Sequence, residues 1–490
     1  MNDDNQELKK KTISGLIWRF AERCGAKGVE FIVAVILARL LAPRDYGLIA
    51  MVTVFITISQ VFIDSGMGNA LIQKKDADDL DFSSVFYFNI LICTAIYTIL
   101  FVASPFIARF YKTPELTSVL RVLSVTIIIS SLKNVQQAYV SKHMLFKKFF
   151  FSTLGGTFAA AVIGIVMAYA GWGVWALVAQ QIMNALIDMV ILWITVKWRP
   201  IKAFSLERLK SLFSFGWKLL VSAIVDTTYN NVRQLIIGRV YSSADLAYYN
   251  RGRQIPNLVV TNINASIDSV LLPALSEEQN NVERVKMMTR RAIKTSSYIM
   301  WPLMLGLVVV AEPLTRLLLT EKWIESVPYL QIFCLVFAFQ PVQTANLNAI
   351  KAMGRSDLFL RLEIIKKSIG LLILSFVMKH GVFAIAVSLL VYTFVAQILN
   401  SFPNKKLLNY SYLEQLKDIW PYIGLASFML ALIYPISLLG WNDISTLLIQ
   451  VFSGIVIYIA GSILFKLDSF QYIWNIVKGL LRREHDREEK

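Results

Sequence analysis

The chain has 490 residues, 56% of them hydrophobic and 17% charged, with a formal net charge of +16. Soluble domains carry about one-quarter charged residues, whereas here apolar runs of about 20 residues, the length that spans a bilayer as a helix, recur along nearly the whole chain. No stretch long enough for a soluble domain remains, and basic residues dispersed over many short loops argue against nucleic acid as a partner.

The N-terminal stretch MNDDNQELKKKTISG holds acidic residues and no short apolar core, so a cleavable signal is not expected. Fourteen spans are predicted, at roughly 13–41, 46–64, 84–104, 116–138, 150–170, 172–195, 211–239, 247–273, 295–311, 326–347, 358–378, 382–401, 418–438 and 444–465. Helices satisfy their own backbone groups in lipid, so the expected fold class is an all-α polytopic membrane protein. Polar residues are placed on these helices at 100° per residue. Span 1, LIWRFAERCGAKGVEFIV, carries Arg19, Glu22, Arg23, Lys27 and Glu30 on an arc of about 140°. Span 2 brings Thr53, Thr57, Gln60 and Asp64 within about 60° of one another. In span 5, Gly156, Ala160 and Gly164 have the small-xxx-small spacing of a close-packed membrane helix. Span 6 adds Gln181, Asn184 and Asp188.

Span 7 repeats the theme of span 1 with Lys218, Asp226, Tyr229, Asn230 and Arg233 on a similar arc. Span 8 carries Arg253, Asn257, Thr261, Asn264 and Asp268 on one stripe. Pro302 and Pro341 suggest kinks in spans 9 and 10, and span 11 holds Glu363, Lys366 and Lys367. Trp172, Trp175, Trp193, Trp198, Trp420 and Trp441 sit at span ends and read as interface anchors. Alternate connections hold Lys9 to Lys11, Lys142 with Lys147 and Lys148, Lys197 to Lys202, Arg284 to Lys294, Lys405 with Lys406, and Arg482 to Arg487. The other connections are poor in Lys and Arg, which places both termini in the cytoplasm.

The two halves echo each other. ILARLLAPRD (36–45) matches IIGRVYSSAD (236–245), FIDSGMGNAL (62–71) matches SIDSVLLPAL (266–275), and RFYKTPELTSVLRVLS (109–124) lies over RLLLTEKWIESVPYLQ (316–331). The offset drifts from 200 to 204 to about 208, as small loop insertions would produce. An even number of spans per repeat gives parallel repeats related by an axis along the membrane normal. The expected organisation is a six-helix lobe over 1–200, a second over 201–405, and two further helices with a basic cytoplasmic tail over 406–490.

Each charge facing lipid at a helix centre costs at least ~2.5–3.5 kcal/mol, so a helix with several must line water or pair inside the bundle. Arg39, Arg239 and Arg361 can instead snorkel to the headgroups. Glu22 can pair with Arg19 or Arg23, and Asp64 and Asp268 can cap a following turn. The charges cluster on spans 1, 2, 7 and 8, the equivalent pairs of the two halves, and a basic polar cavity is the simplest explanation. Arg19, Arg23, Lys27, Lys218, Arg233, Arg253, Asn257, Asn264, Lys366 and Lys367 are the substrate-binding candidates. Arg and Lys suit phosphate oxygens, while amides suit sugars. Glu22, Glu30, Asp226 and Asp268 are the ion-coupling candidates, with Asp64 as a structural partner of Asp268. Cys24, Cys93 and Cys334 fall in spans, His143, His380 and His485 are scattered, and no Gly-rich loop ends in Gly-Lys-Ser/Thr. Neither a metal nor a cofactor is expected.

LARLLAPRDYGLIAM, FIDSGMGNALIQ, FYKTPELTSVLRVLS and KHMLFKKFFF, with EKWIESVPYLQIF and AMGRSDLF in the second half, resemble the polysaccharide exporters of the colanic-acid and teichuronic-acid type. These belong to the multidrug/oligosaccharidyl-lipid/polysaccharide exporter superfamily, and the resemblance covers about residues 10–400. It implies a bacterial inner-membrane flippase for undecaprenyl-diphosphate-linked repeat units, built as a V-shaped pair of lobes. The lipid-linked oligosaccharide would be substrate. Membrane lipids, a polysaccharide polymerase and glycosyltransferases would be its partners, and the last two spans would form part of a lipid-side groove. A peptidoglycan-precursor flippase, a drug antiporter of the same fold and a membrane polymerase or ligase are the rival readings. The cations in spans 1, 7 and 11 disfavour a carrier of cationic drugs, and the short outer connections disfavour an enzyme.

Overall fold

The computed structural model describes residues 18, 25–64, 67–475 and 478–479. The described residues contain helices and no strand. In chain order the helices are α1 (25–40), α2 (Pro43–Asp64), α3 (Met67–Gln73), α4 (Asp79–Phe110), α5 (Leu116–Leu123), α6 (Val125–Lys142), α7 (Phe146–Tyr169), α8 (Val174–Thr195) and α9 (Leu206–Val240). They continue with α10 (Ser243–Glu277), α11 (Val282–Leu319), α12 (Val327–Ala338), α13 (Gln340–Ala352), α14 (Ser356–Val377), α15 (Val382–Leu407), α16 (Tyr412–Ile433), α17 (Asp443–Leu464) and α18 (468–475).

Eleven segments among the described residues are long and apolar enough to cross a membrane. The remaining three predicted spans correspond to α1, α9 and α14, which are helical where described. These are helices that the sequence loads with charge. Two membrane segments contain a break. One comprises α5 and α6, which meet at Ser124, and the other reaches from Glu321 to Ala352 and breaks at Phe339, just before Pro341. Pro302, by contrast, lies inside the uninterrupted α11.

Packing divides the chain into two units, Met1–Ala247 and Tyr248–Lys490. This boundary falls one helix later than the repeat suggests, because α9 packs along α2 and also meets α3 and α4. In the first unit, Phe82, Phe86, Val135, Leu192 and Trp198 belong to one buried cluster. Trp198 is only 5% exposed and donates its indole N–H to Asp79 Oδ1 at 3.1 Å. It is therefore a core residue and not the interface anchor expected from its place at a span end. Trp172, Trp420 and Trp441 remain exposed. In the second unit a core forms from Leu275, Val285, Ile293, Val342, Ala345, Tyr410 and Ile419, and both α16 and α17 pack on α11. Large apolar side chains face outward along the spanning helices, among them Leu91, Ile99 and Phe106 of α4 and Phe452 of α17.

The first echo of the repeat is a helix-start signal. Asp45 accepts the Ala42 N–H at 3.2 Å, and Asp245 accepts the Ser242 N–H at 3.1 Å. Each carboxylate reaches back three residues to a backbone donor ahead of its helix, as the third residue of a capping box does. The two equivalent corners also meet: a Cβ on Gly47 would lie 1.8 Å from the Ser243 carbonyl oxygen.

Candidate functional site

In the first unit, Arg19, Glu22 and Arg23 lie outside the described residues, as do the side chains of Asp64 and Lys218. Asp64 is the last residue of α2. On α1, Lys27 donates to Glu30 at 2.6 Å, one turn along the same helix, and both side chains are exposed. No atom of the described residues lies within 4 Å of a Cβ on the neighbouring Gly28. On α9, Asp226 accepts from the Asn230 amide at 3.1 Å, again at helical spacing. Arg233 is buried at 7% exposure, with its guanidinium 5.8 Å from the centre of the Tyr229 ring. The α9 stripe is thus a graded face, with an exposed carboxylate near its middle and a buried cation two turns further on.

The second unit holds the α10 stripe. Arg253, Asn257 and Asn264 are half-buried, while Asp268 is exposed. The Asn264 side-chain oxygen is buried without a hydrogen-bond partner among the described residues. A lone buried acceptor is costly unless a donor from water or a ligand fills it. Asp268 lies inside α10 and does not cap a turn; one of its oxygens accepts the Asn348 amide of α13 at 2.7 Å. On α14, Lys366 is buried at 5% exposure and donates to Glu363 at 2.5 Å, one turn back. The half-buried Lys367 follows it. These two cations therefore differ: Lys366 is buried and paired with a carboxylate of its own helix, and Lys367 stands nearer the surface.

A part-buried ion pair in the first unit joins two helices that the sequence treats separately. Lys133 of α6 donates to Asp188 of α8 at 3.0 Å. Gly156 makes room beside this pair, since a Cβ there would lie 2.8 Å from the Asn184 carbonyl oxygen and 3.1 Å from Asp188 Cβ. The small-residue spacing in span 5 is thus a close-packing face, as expected, with Gly164 likewise against Gln180. The lone cation Lys133 within an apolar run was the available signal for the pair, but its partner is 55 residues away.

Among the described residues, the first unit holds a buried cation on α9, and the second holds a polar stripe on α10 and a buried cation on α14. A profile for the polysaccharide biosynthesis protein family matches residues 36–328. The chain belongs to that family. This polysaccharide biosynthesis protein is 27% identical over 361 residues to the teichuronic acid biosynthesis protein TuaB of Bacillus subtilis (strain 168), covering 72% of this chain and 73% of the relative. It is 23% identical over 424 residues to the lipopolysaccharide biosynthesis protein WzxC of Escherichia coli (strain K12), covering 84% and 85% of the two chains. Its fold is similar to that of the lipid II flippase MurJ in an inward closed conformation, with a TM-score of 0.74 at 15% identity over 92% of this chain and 98% of the other. The all-α polytopic class expected of the family member is the one found.

Proposed function

We propose that the protein moves undecaprenyl-diphosphate-linked oligosaccharide repeat units across the bacterial inner membrane by alternating access, for export of a surface polysaccharide. It is a transporter in this reading and performs no covalent chemistry. The observation that carries the reading is the burial of two cations, Arg233 and Lys366, on helices that this reading takes as spanning. Such cations are costly in lipid and mark substrate pathways. The kinship with TuaB and WzxC and the MurJ-like fold support it.

In this reading the basic residues Arg19, Arg23, Lys27, Lys218, Arg233, Arg253, Lys366 and Lys367 attract the diphosphate. Asn257 and Asn264 bind sugar hydroxyls. Asp268, with one oxygen on Asn348, is the first coupling carboxylate to test, followed by Asp226, Glu30 and Glu22. The two lobes follow the sequence repeat, and both termini lie in the cytoplasm, as the Lys and Arg distribution favours. A polymerase and glycosyltransferases that build the repeat unit are the functional neighbours.

Deletion in the source cell should stop polymer export and accumulate lipid-linked repeat units on the cytoplasmic side. Lys27→Ala and Arg23→Ala should reproduce the defect at normal membrane abundance. Normal export by both variants would remove the phosphate role from α1, and collapse of abundance would assign these residues to structural pairing. The MurJ-like fold also favours a second reading, transport of a peptidoglycan precursor. Rescue of cells depleted of their own lipid II flippase, without any polymer defect on deletion, would select it.

A further inference from the structure

The second unit carries a cluster of basic residues that the transport reading does not use. The first four turns of α11 hold Arg284, Arg290, Arg291 and Lys294, and together with Asp468 and Tyr472 of α18 they line a cavity of about 640 Å³. Three of the cations have carboxylate partners. Arg284 meets Glu278 at 2.8 Å, Arg290 grips both oxygens of Asp418 at 2.7 Å, and Lys294 meets Asp468 at 2.8 Å. Arg291 differs. Its guanidinium lies over the Tyr472 ring, 4.4 Å from the ring centre, and a guanidinium held on an aromatic ring can still donate N–H groups to an anion.

Arg291 and Tyr472 also line a second groove of about 740 Å³ between α10 and α11. Its walls are mainly apolar, including Ile263, Ile267, Val270 and Leu271 of α10 and Ile299 of α11. A basic pocket therefore adjoins an apolar groove, and Arg291 on Tyr472 lines both. This is the pattern of an amphiphile with an anionic head, and basic pockets between spanning helices bind such headgroups.

We propose that this junction binds an anionic phospholipid of the surrounding bilayer, with its phosphate on Arg291 and the adjoining cations and an acyl chain along the α10–α11 groove. A bilayer lipid fits better than the transported glycolipid because of where the groove lies on α10. Its lining residues are centred roughly 130° around the helix from the Arg253–Asp268 stripe. The substrate stripe and the lipid groove thus use different faces of one helix. Charge complementarity favours an anionic lipid over a zwitterionic one, since Arg291 pairs with no carboxylate among the described residues.

The test uses the full-length protein in detergent, with the thermal midpoint followed as lipid is added. Dioleoyl phosphatidylglycerol should raise the wild-type midpoint by mass action, whereas dioleoyl phosphatidylcholine should not. Arg291→Gln should weaken the apparent phosphatidylglycerol affinity about fivefold, the effect of one basic residue near an anionic surface. Tyr472→Ala should weaken it as well, and Arg291→Lys should keep most of it, which separates loss of charge from loss of folding. Lys379→Ala, on a different loop, serves as the control and should bind as wild type. Equal stabilisation by both lipids, or full binding by Arg291→Gln, overturns the proposal. So does undecaprenyl phosphate displacing phosphatidylglycerol at lower concentration, which would assign the junction to the substrate. A transport defect alone would not decide the question, so failure of the flippase reading and failure of this site are distinguishable.

Discussion

Lys133 on α6 and Asp188 on α8 form a 3.0 Å ion pair whose carboxylate is almost wholly enclosed. Such a pair is weak evidence of net stabilisation, but breaking one side leaves a buried charge, at a cost of about 3–5 kcal/mol. Lys133→Ala should therefore lower the thermal midpoint in detergent sharply. The double substitution Lys133→Met with Asp188→Leu should recover most of the loss. A double variant as unstable as the sum of the two singles would show that the pair does not couple these helices.

The corners that start α2 and α10 touch through Gly47. An alanine methyl there would meet the backbone carbonyl of Ser243, which cannot rotate away. Gly47→Ala should cost at least ~1–3 kcal/mol through overpacking. Gly28→Ala, whose new methyl meets no atom of the described residues, should instead stabilise α1 by roughly 0.5–1 kcal/mol. Thermal midpoints of the two variants should move in opposite directions, and parallel shifts would contradict the packing described for Gly47.

Asp268 is anchored by the Asn348 amide. Asp268→Asn keeps the shape and removes the charge. It should reduce polymer export at unchanged protein level if the carboxylate couples an ion. Asp64→Asn, at the equivalent place in the repeat, should mainly lower abundance. Export assays paired with membrane immunoblots distinguish the two, and the reverse pattern would exchange their roles.

Asp78 caps α4, accepting the Asp81 N–H at 3.0 Å, and pairs with Arg208 at 2.6 Å. The Asp81 backbone donor and then Arg208 hold its carboxyl below the usual carboxylate range. A depressed folded-state value means the contribution is present above the unfolded value, about 3.9, and is lost as pH falls through the lower folded value. The pair is exposed, so solvent screening keeps its contribution at neutral pH small. Asp78→Asn keeps the cap, because Asn caps as well as Asp. The wild type should lose protease protection of the 74–78 loop below about pH 4, and Asp78→Asn should not show that decline. An unchanged acid profile would assign that decline to other carboxylates.

Whatever helix geometry fixes within about four residues is legible in the amino-acid sequence alone. Apolar runs of spanning length are helices, and the Gly156–Gly164 spacing is a close-packing face. Lys27 with Glu30, and Lys366 with Glu363, are also pairs that one helical turn dictates. The polar stripe of α10 follows from residue spacing because its members share one helix. What those faces meet depends instead on long-range packing. A position near a span end suits Asp268 to capping, yet α13 brings Asn348 to it from 80 residues away. Lys133 meets Asp188, Trp198 turns inward to Asp79, and Arg291 lies over Tyr472. The axial rotation and sliding of one helix against another are set by the interlocking of many side chains at once. A change of a few ångström in either would exchange all of these partners while leaving the apolar pattern of every span unchanged.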